Sequence, residues 1–348
     1  MNQHFTSLKA AWHLDRIADL RAGRDIVPTH VQLILSDLCN QDCHFCAYRM
    51  EGGFATQNFA DASGNRNPNR RIPTAKAIEI LDDCAALGVE AIEFTGGGEP
   101  TVHPDCMEII AHAQALGMKT GLVTNGVKLA SHPALARLSW LRISLDAGRA
   151  ETYELTRKSR AWPQAMKALA LAGALSGPYV GVGFVVTREN FGELAMACGI
   201  VKGFGIPYVR VSAMFSEGGA LYYAGVEKEI DEQRKAAKSL EDGAFKVVDF
   251  FGDRIRDLKQ AAPDYSFCGE QQFVLYVGGD LRVYRCCSTS YSKHGEIGNL
   301  KEQSFAAWIK AYRRYDFDAR TCRICQFNDK NRVVNFMLDK APPHVHFV

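Results

Sequence analysis

Apolar residues recur along the chain in two alternating rhythms. Short runs rich in β-branched and aromatic residues, at 31–36, 90–94, 119–124, 139–144, 180–186 and 207–213, read as strands. Between them, near 75–87, 105–116, 149–173 and 190–203, with a short stretch near 132–137, helices are expected. In the first of these, Ala77, Ile80, Leu81, Cys84 and Leu87 fall on one face. Three helix ends carry a glycine just ahead of a strand: Leu87-Gly88-Val89, Leu116-Gly117-Met118 and Phe204-Gly205-Ile206. Glycine adopts the left-handed conformation past a helix end without a Cβ clash, so each copy marks a helix-to-strand turn. Strands alternating with helices imply a parallel sheet or a barrel. Six such units fall short of an eight-fold barrel, so the expected fold is α/β, an open, partial (β/α)6 TIM-like barrel.

The rhythm is interrupted twice. Residues 49–73 are polar and rich in Gly and Asn, and read as a long loop, a length usually kept for function or disorder. After residue 215 the barrel-like pattern stops. A charged helix (226–240) leads to a second cysteine-bearing module, where Phe273–Val277, Gly278-Gly279-Asp280 and Leu281–Tyr284 read as a tight hairpin, with a helix following at about 302–314. The expected division is an N-terminal extension (1–27), the partial barrel (28–215), a linking helical region (216–263) and a small α+β module with the C-terminal tail (264–348).

Composition narrows the class without naming a function. Hydrophobic residues make up 47% and charged residues 23%, ordinary for a soluble globular protein. A net charge of +2 argues against a surface built to grip nucleic acid. Residues 1–20 are broken by Lys9, His13, Asp15, Arg16 and Asp19, unlike a signal peptide, and no apolar run is long enough for a bilayer. A cytoplasmic protein is expected, and its 11 cysteines then read as metal ligands and buried thiols. Cys84, Cys106 and Cys198 are expected to pack in the core.

The chemistry begins directly after the first strand, where Cys39, Cys43 and Cys46 are spaced C-x3-C-x2-C. Three thiolates can hold a [4Fe–4S] cluster and leave its fourth iron open, whereas plant-type ferredoxin spacing needs a fourth cysteine nearby. The alternative, a structural zinc, would draw on His44, poorly placed inside the motif. After the second strand comes Thr95-Gly96-Gly97-Gly98-Glu99-Pro100. Its glycines let a backbone approach a ligand closely, and Glu99 can accept from a ligand ammonium.

Together, Cys39-x3-Cys43-x2-Cys46 and Gly97-Gly98-Glu99-Pro100 resemble the radical S-adenosylmethionine (radical SAM) superfamily over about residues 28–215. The resemblance implies a cluster whose open iron chelates the amino and carboxylate groups of S-adenosylmethionine, with Gly97–Pro100 against the amine and Phe45 near the adenine. It implies reductive cleavage to methionine and a 5′-deoxyadenosyl radical that abstracts substrate hydrogen. Ser144 and Arg157 would hold the ribose or carboxylate. Asn125 would either join them or form a plain turn with Gly126, and Asp146 is expected to cap the next helix.

The second module holds Cys268, Cys286, Cys287, Cys322 and Cys325. Cys268, Cys286 and the pair Cys322-x2-Cys325 are four separated ligands suited to a second [4Fe–4S] cluster, with zinc as the alternative. The layout resembles the twitch module, a shortened SPASM domain, of radical SAM enzymes. Cys287 would replace Cys286 as ligand, sit inert, or return hydrogen to a substrate radical. Glu217, Arg188 and Arg210 lie near strand ends, where a barrel places its active site, and Arg66, Arg70 and Arg71 could meet an anion or lie solvated. The expected activity is radical chemistry on a small polar molecule, a sugar, cyclitol, nucleoside or amino-acid derivative, with the auxiliary cluster accepting an electron in a net oxidation. Epimerisation, rearrangement and elimination stay open. A flavodoxin- or ferredoxin-type reductant is implied. Maturation of a ribosomal peptide is the alternative, weakened because only about 30 residues precede the first strand; a bare iron–sulfur electron carrier is the distant one.

Overall fold

The computed structural model describes residues 3–50, 59–215, 218–312 and 317–339, and within them ten strands form one sheet. β1 (His30–Leu33), β2 (Ala91–Phe94), β3 (Lys119–Thr124), β4 (Trp140–Ser144), β5 (Tyr179–Val186), β6 (Tyr208–Ala213) and β7 (Lys246–Asp249) lie side by side in chain order, all parallel. β8 (Val274–Val277) returns to the far side of β1, again parallel, and β9 (Arg282–Tyr284) and β10 (Glu296–Asn299) continue antiparallel. The sheet is open, as expected of a partial barrel.

Alternation along each strand sorts the side chains into two environments. Val31, Leu33, Ile92, Phe94, Leu141 and Ile143 are buried outward, in one core with Ile80, Leu81, Ile109 and Leu169 of the covering helices. Those helices include Thr74–Leu87, Cys106–Ala115, Trp162–Gly173 and Leu194–Gly203. Gly88, Gly117 and Gly205 have φ of 86°, 83° and 73°, the left-handed turn conformation expected of them.

The inner face carries the other parity, and it is polar and aromatic. One lateral row runs Gln32, Glu93, Gly121, Trp140 and Tyr179 across β1 to β5. Gly121 is glycine because the Trp140 indole covers it: a Cβ would lie 2.3 Å from the ring. The N-terminal residues plug the lower mouth, His4 stacking on Tyr179 at 4.0 Å and Phe5 standing edge-on to Tyr208 at 5.1 Å.

Several expectations change. The helix expected over 149–173 is two, Ala150–Arg157 and Trp162–Gly173, because Lys158 turns left-handed (φ 51°) and Pro163 restarts the chain. The parallel pattern does not stop at residue 215, since β7 adds to it, and the expected hairpin, β8–β9, belongs to the barrel's own sheet. The later part of the long loop is anchored: Phe59 and Pro68 are buried, Arg71 bridges Ser36, and Ile72 donates to Leu35 O at 3.0 Å.

Candidate active site

The loop leaving β1 is held from two sides before it presents its cysteines. Asp42 and His44 donate backbone N–H groups to Arg157 O and Thr156 O, each at 3.2 Å, at the end of Ala150–Arg157. Asn67 accepts from Cys39 N at 2.9 Å and donates to Cys39 O at 3.0 Å. Cys39, Cys43 and Cys46 are only partly exposed, and burial pushes all three thiols up, Cys43 to about 12. Cys43 feels the charge of Cys46 and Cys39, so the three form one group. Arg49 and Arg157 pull the other way and would offset three thiolates. The Nδ2 of Asn40 and the Nε of Arg49 are buried without a hydrogen-bond partner beside this group. Sulfur donors, flanking cations and orphaned polar atoms fit a thiolate-held cluster.

The glycine run packs against the chain itself. A Cβ at Gly98 would lie 2.2 Å from Leu38 O, and one at Gly97 would lie 2.6 Å from the Phe59 ring. Gly98 N donates to Ser36 O at 2.9 Å and Glu99 N to Leu38 O at 3.0 Å, locking this loop to the cysteine loop. Glu99 is buried, with both oxygens engaged by protein donors. It accepts from Thr101 N–H and hydroxyl, from the Thr124 hydroxyl, and from Asn125 N at 2.8 Å. Pro100 opens a short 3-10 turn whose first N–H Glu99 caps. Asn125 makes a turn with Gly126 (φ 78°) and also reaches the cysteine loop, Nδ2 lying 2.7 Å from Asn40 Oδ1 and 3.9 Å from Cys39 Sγ.

Arg157 is buried against the same loop, donating to Gln41 Oε1 at 2.9 Å and approaching Cys43 Sγ at 3.8 Å, with its guanidinium over the Phe45 ring at 5.9 Å. Its anionic partner is Asp146, which does not cap the following helix as expected. The Asp146 carboxylate instead pairs with Arg157 and accepts from Val185 N at 2.6 Å, from a left-handed backbone (φ 56°). Ser144, at the end of β4, makes no side-chain hydrogen bond among the described residues. Arg188 is tied to the carbonyls of Tyr222 and Ala224, and Glu217 lies outside the described residues.

Asp37 joins this site to the second module. Fully buried, it accepts from Tyr291 OH and from Arg70 Nε at 2.8 Å, and burial pushes it up to about 6 against the pull of Arg70. Gly279 of the β8–β9 hairpin packs on it so closely that a Cβ would sit 2.7 Å from Oδ1. Arg70 is therefore a packing cation, and Arg66 donates to Arg49 O at 2.9 Å.

The auxiliary cysteines also gather. Cys268 feels Cys325 and Cys322, and Cys286 feels its neighbour Cys287 first and then Cys268. Burial pushes Cys268 up to about 12 and Cys322 to about 11. Cys325 Sγ accepts from Tyr265 OH at 3.2 Å, Phe327 N at 3.3 Å and Asn331 Nδ2 at 3.5 Å, the donor shell that a cluster thiolate uses. Cys287 Sγ instead takes a bond from Gln326 Nε2 at 2.8 Å, and Tyr48 feels both Cys287 and Cys46. Among the described residues no three His, Cys, Asp or Glu side chains are gathered as a single-ion site. Cys84, Cys106 and Cys198 are buried in the core.

Sequence reasoning missed Asp37, Tyr291, Gln41, Glu93 and Arg142. Glu93 and Arg142 carried a usable signal, a charge at the inward parity of an apolar strand; Asp37 and Tyr291, 254 positions apart, carried none.

Comparison with known proteins agrees with this geometry. The family model described as "Radical SAM superfamily" matches residues 33–198. An S-adenosylmethionine-dependent nucleotide dehydratase of Flammeovirga pacifica is 32% identical over 143 residues, 40% of this chain and 46% of that one. The mycofactocin maturase MftC of Mycobacterium tuberculosis (strain CDC 1551 / Oshkosh) is 26% identical over 260 residues, 72% of this chain and 62% of that one. The chain thus spans between about half and three-fifths of these curated relatives. Streptococcus suis SuiB bound to its precursor peptide SuiA shares the fold, with a TM-score of 0.60 at 15% identity, covering 95% of this chain and 77% of that one. Among the described residues no helix is long and apolar enough to cross a membrane.

Proposed function

We propose that the protein, whose residues 33–198 match the radical SAM superfamily model, is a radical SAM enzyme acting on a small polar substrate, with an auxiliary iron–sulfur cluster in its C-terminal module. The observation that carries this is the junction of the three-cysteine loop with Gly97–Pro100, joined by two backbone hydrogen bonds. When bound, a cluster with an open iron supplies the electron that cleaves S-adenosylmethionine to methionine and a 5′-deoxyadenosyl radical. Cys39, Cys43 and Cys46 would hold it. Gly97, Gly98 and Pro100 shape the wall beside it, while Glu99 holds Thr124 and Asn125 in place. Asn125 and Ser144 lie at strand ends, Phe45 on the cysteine loop and Arg157 at the end of the helix Ala150–Arg157; they would orient the cofactor. Cys268, Cys286, Cys322 and Cys325 would hold the auxiliary cluster, which would supply an electron acceptor and so make the net reaction an oxidation. Cys287 would serve as hydrogen donor only in a redox-neutral outcome, and Glu217 remains a candidate acid or base.

The test is 5′-deoxyadenosine formation by anaerobically reconstituted, reduced protein. Product from the wild type and none from the Cys39→Ala, Cys43→Ala, Cys46→Ala triple variant is expected. Equal amounts from both would remove the proposal. A second reading, peptide maturation, is favoured by the relative that aligns over 72% of this chain and is itself a maturase. Under it, product formation would rise with a precursor peptide and stay flat with small polar molecules.

A further inference from the structure

The inner face of the barrel holds two guanidinium groups with no partner. Arg142 stands on β4, its charge over the Trp140 ring at 5.5 Å, and Arg210 on β6, over the Phe250 ring at 5.2 Å. Among the described residues neither makes a hydrogen bond or an ion pair. Arg254, the next cation, differs in being paired with Asp257 at 3.0 Å. Both are half-buried, so their five donors apiece are turned toward the barrel interior without a protein acceptor and stay open to a ligand's oxygens. The two like charges also repel each other. Burial and the charges of Arg142 and Arg254 depress Arg210 to about 9.

The strand between them clears the space. β5 places Gly181 beside Arg142 and Gly183 beside Arg210. The Tyr208 ring fills the first position, where a Cβ would lie 1.9 Å from it. At Gly183 a Cβ would come no nearer than 3.7 Å to any atom, that atom being Arg142 Cδ, so this glycine is not required by packing. It leaves a notch between the two guanidiniums, level with Ser144 in the register. The carboxylate nearest in charge, Glu93, accepts from Gln32 at 3.1 Å and feels both arginine charges, but forms an ion pair with neither.

We propose that Arg142 and Arg210 form an anion-binding site across the Gly183 notch, which takes a phosphate or carboxylate group of the substrate. The inference deepens the radical SAM reading and rests on it for the identity of the bound molecule as substrate. A planar fork on each side suits two oxygens of one anion, and the Trp140 and Phe250 rings back one guanidinium each.

The experiment is isothermal titration calorimetry on the reconstituted, oxidised protein with inorganic pyrophosphate in one arm and succinate in the other. Saturable binding of pyrophosphate assigns a phosphate group, and of succinate alone a carboxylate. Either is expected to weaken about 10-fold or more in the Arg142→Gln, Arg210→Gln double variant. That variant loses a repulsion together with two guanidinium–ring contacts and the pull of both charges on Glu93, and no hydrogen bond, so it should melt close to the wild type. Arg210→Lys, which keeps the charge and loses the fork, should bind several-fold more weakly and carries the test if the double variant does not fold. No binding of either anion, equal binding by the variants, or binding abolished by S-adenosylmethionine would overturn the proposal. The titration needs neither reductant nor turnover. Binding without 5′-deoxyadenosine formation would therefore remove the radical reading and leave the site, and the reverse result would do the opposite.

Discussion

Replacing Gly98 by alanine tests the junction on which the active-site reading rests. The added Cβ would lie 2.2 Å from Leu38 O and 2.5 Å from both Leu38 C and Asp37 C. All three atoms are backbone, so no side chain can swing aside. The two loops must part by about 1 Å to reach ordinary packing distance. That separation carries the bonds from Gly98 N to Ser36 O (2.9 Å) and from Glu99 N to Leu38 O (3.0 Å) out of hydrogen-bond range. Each bond contributes roughly 0.5–1.5 kcal/mol net, and leaving buried groups unpaired raises the loss, so the expected destabilisation is about 2–4 kcal/mol. Because the displaced segment runs directly into Cys39, iron loading and S-adenosylmethionine affinity should fall together. Urea unfolding, iron content and calorimetric binding of S-adenosylmethionine would be read against Gly199→Ala. That exposed helix glycine has nothing within 4 Å of its would-be Cβ, and its replacement should stabilise by up to about 1 kcal/mol. A Gly98→Ala protein with wild-type midpoint, iron and affinity would refute the reasoning.

Asp146→Asn leaves the buried Arg157 guanidinium without its carboxylate, and a cost of about 3–5 kcal/mol is expected in urea unfolding; a loss below 1 kcal/mol would mean the pair is not desolvated. His30 is depressed to about 3 by burial first and then by Lys330 and Lys9. The unfolded chain therefore binds the extra proton between about pH 3 and 6.5, and stability should rise with pH across that window and level off above it. At pH 5 the loss is at most about 2 kcal/mol, and the same slope in His30→Gln would exclude this residue as its source. Cys286→Ala is expected to lose the auxiliary iron while Cys287→Ala keeps it, since Cys286 groups with Cys268 and Cys287 bonds to Gln326; equal iron contents would contradict that assignment.

The parts of the fold that were legible in the chain are those written in contiguous segments. The glycines at 88, 117 and 205 announced helix-to-strand turns because positive φ is a local demand, and all three adopt it. The six barrel strands announced themselves by apolar runs. β7 did not, since Lys246–Asp249 is short and half polar, and it becomes a strand only because β6 offers an unpaired edge. The break at Lys158 was hidden because helical apolar spacing continues on either side of it.

By itself the sequence determined the cysteine triplet, its place directly after a strand, the glycine-rich loop one unit later, and the outward alternation that builds the core. Each is a matter of spacing along a few consecutive residues. Only the tertiary structure decided what those motifs touch. It showed that Gly98 and Gly279 are glycines so that two loops can close on the cysteine loop. It turned Glu99 inward to hold β3's end, and it paired Asp146 with Arg157. The meeting of Asp37 with Tyr291 depends on β8 returning to β1 across most of the chain. Contacts between distant segments are set by sheet order and by the space each neighbour leaves, and neither is a property of any stretch of chain read alone.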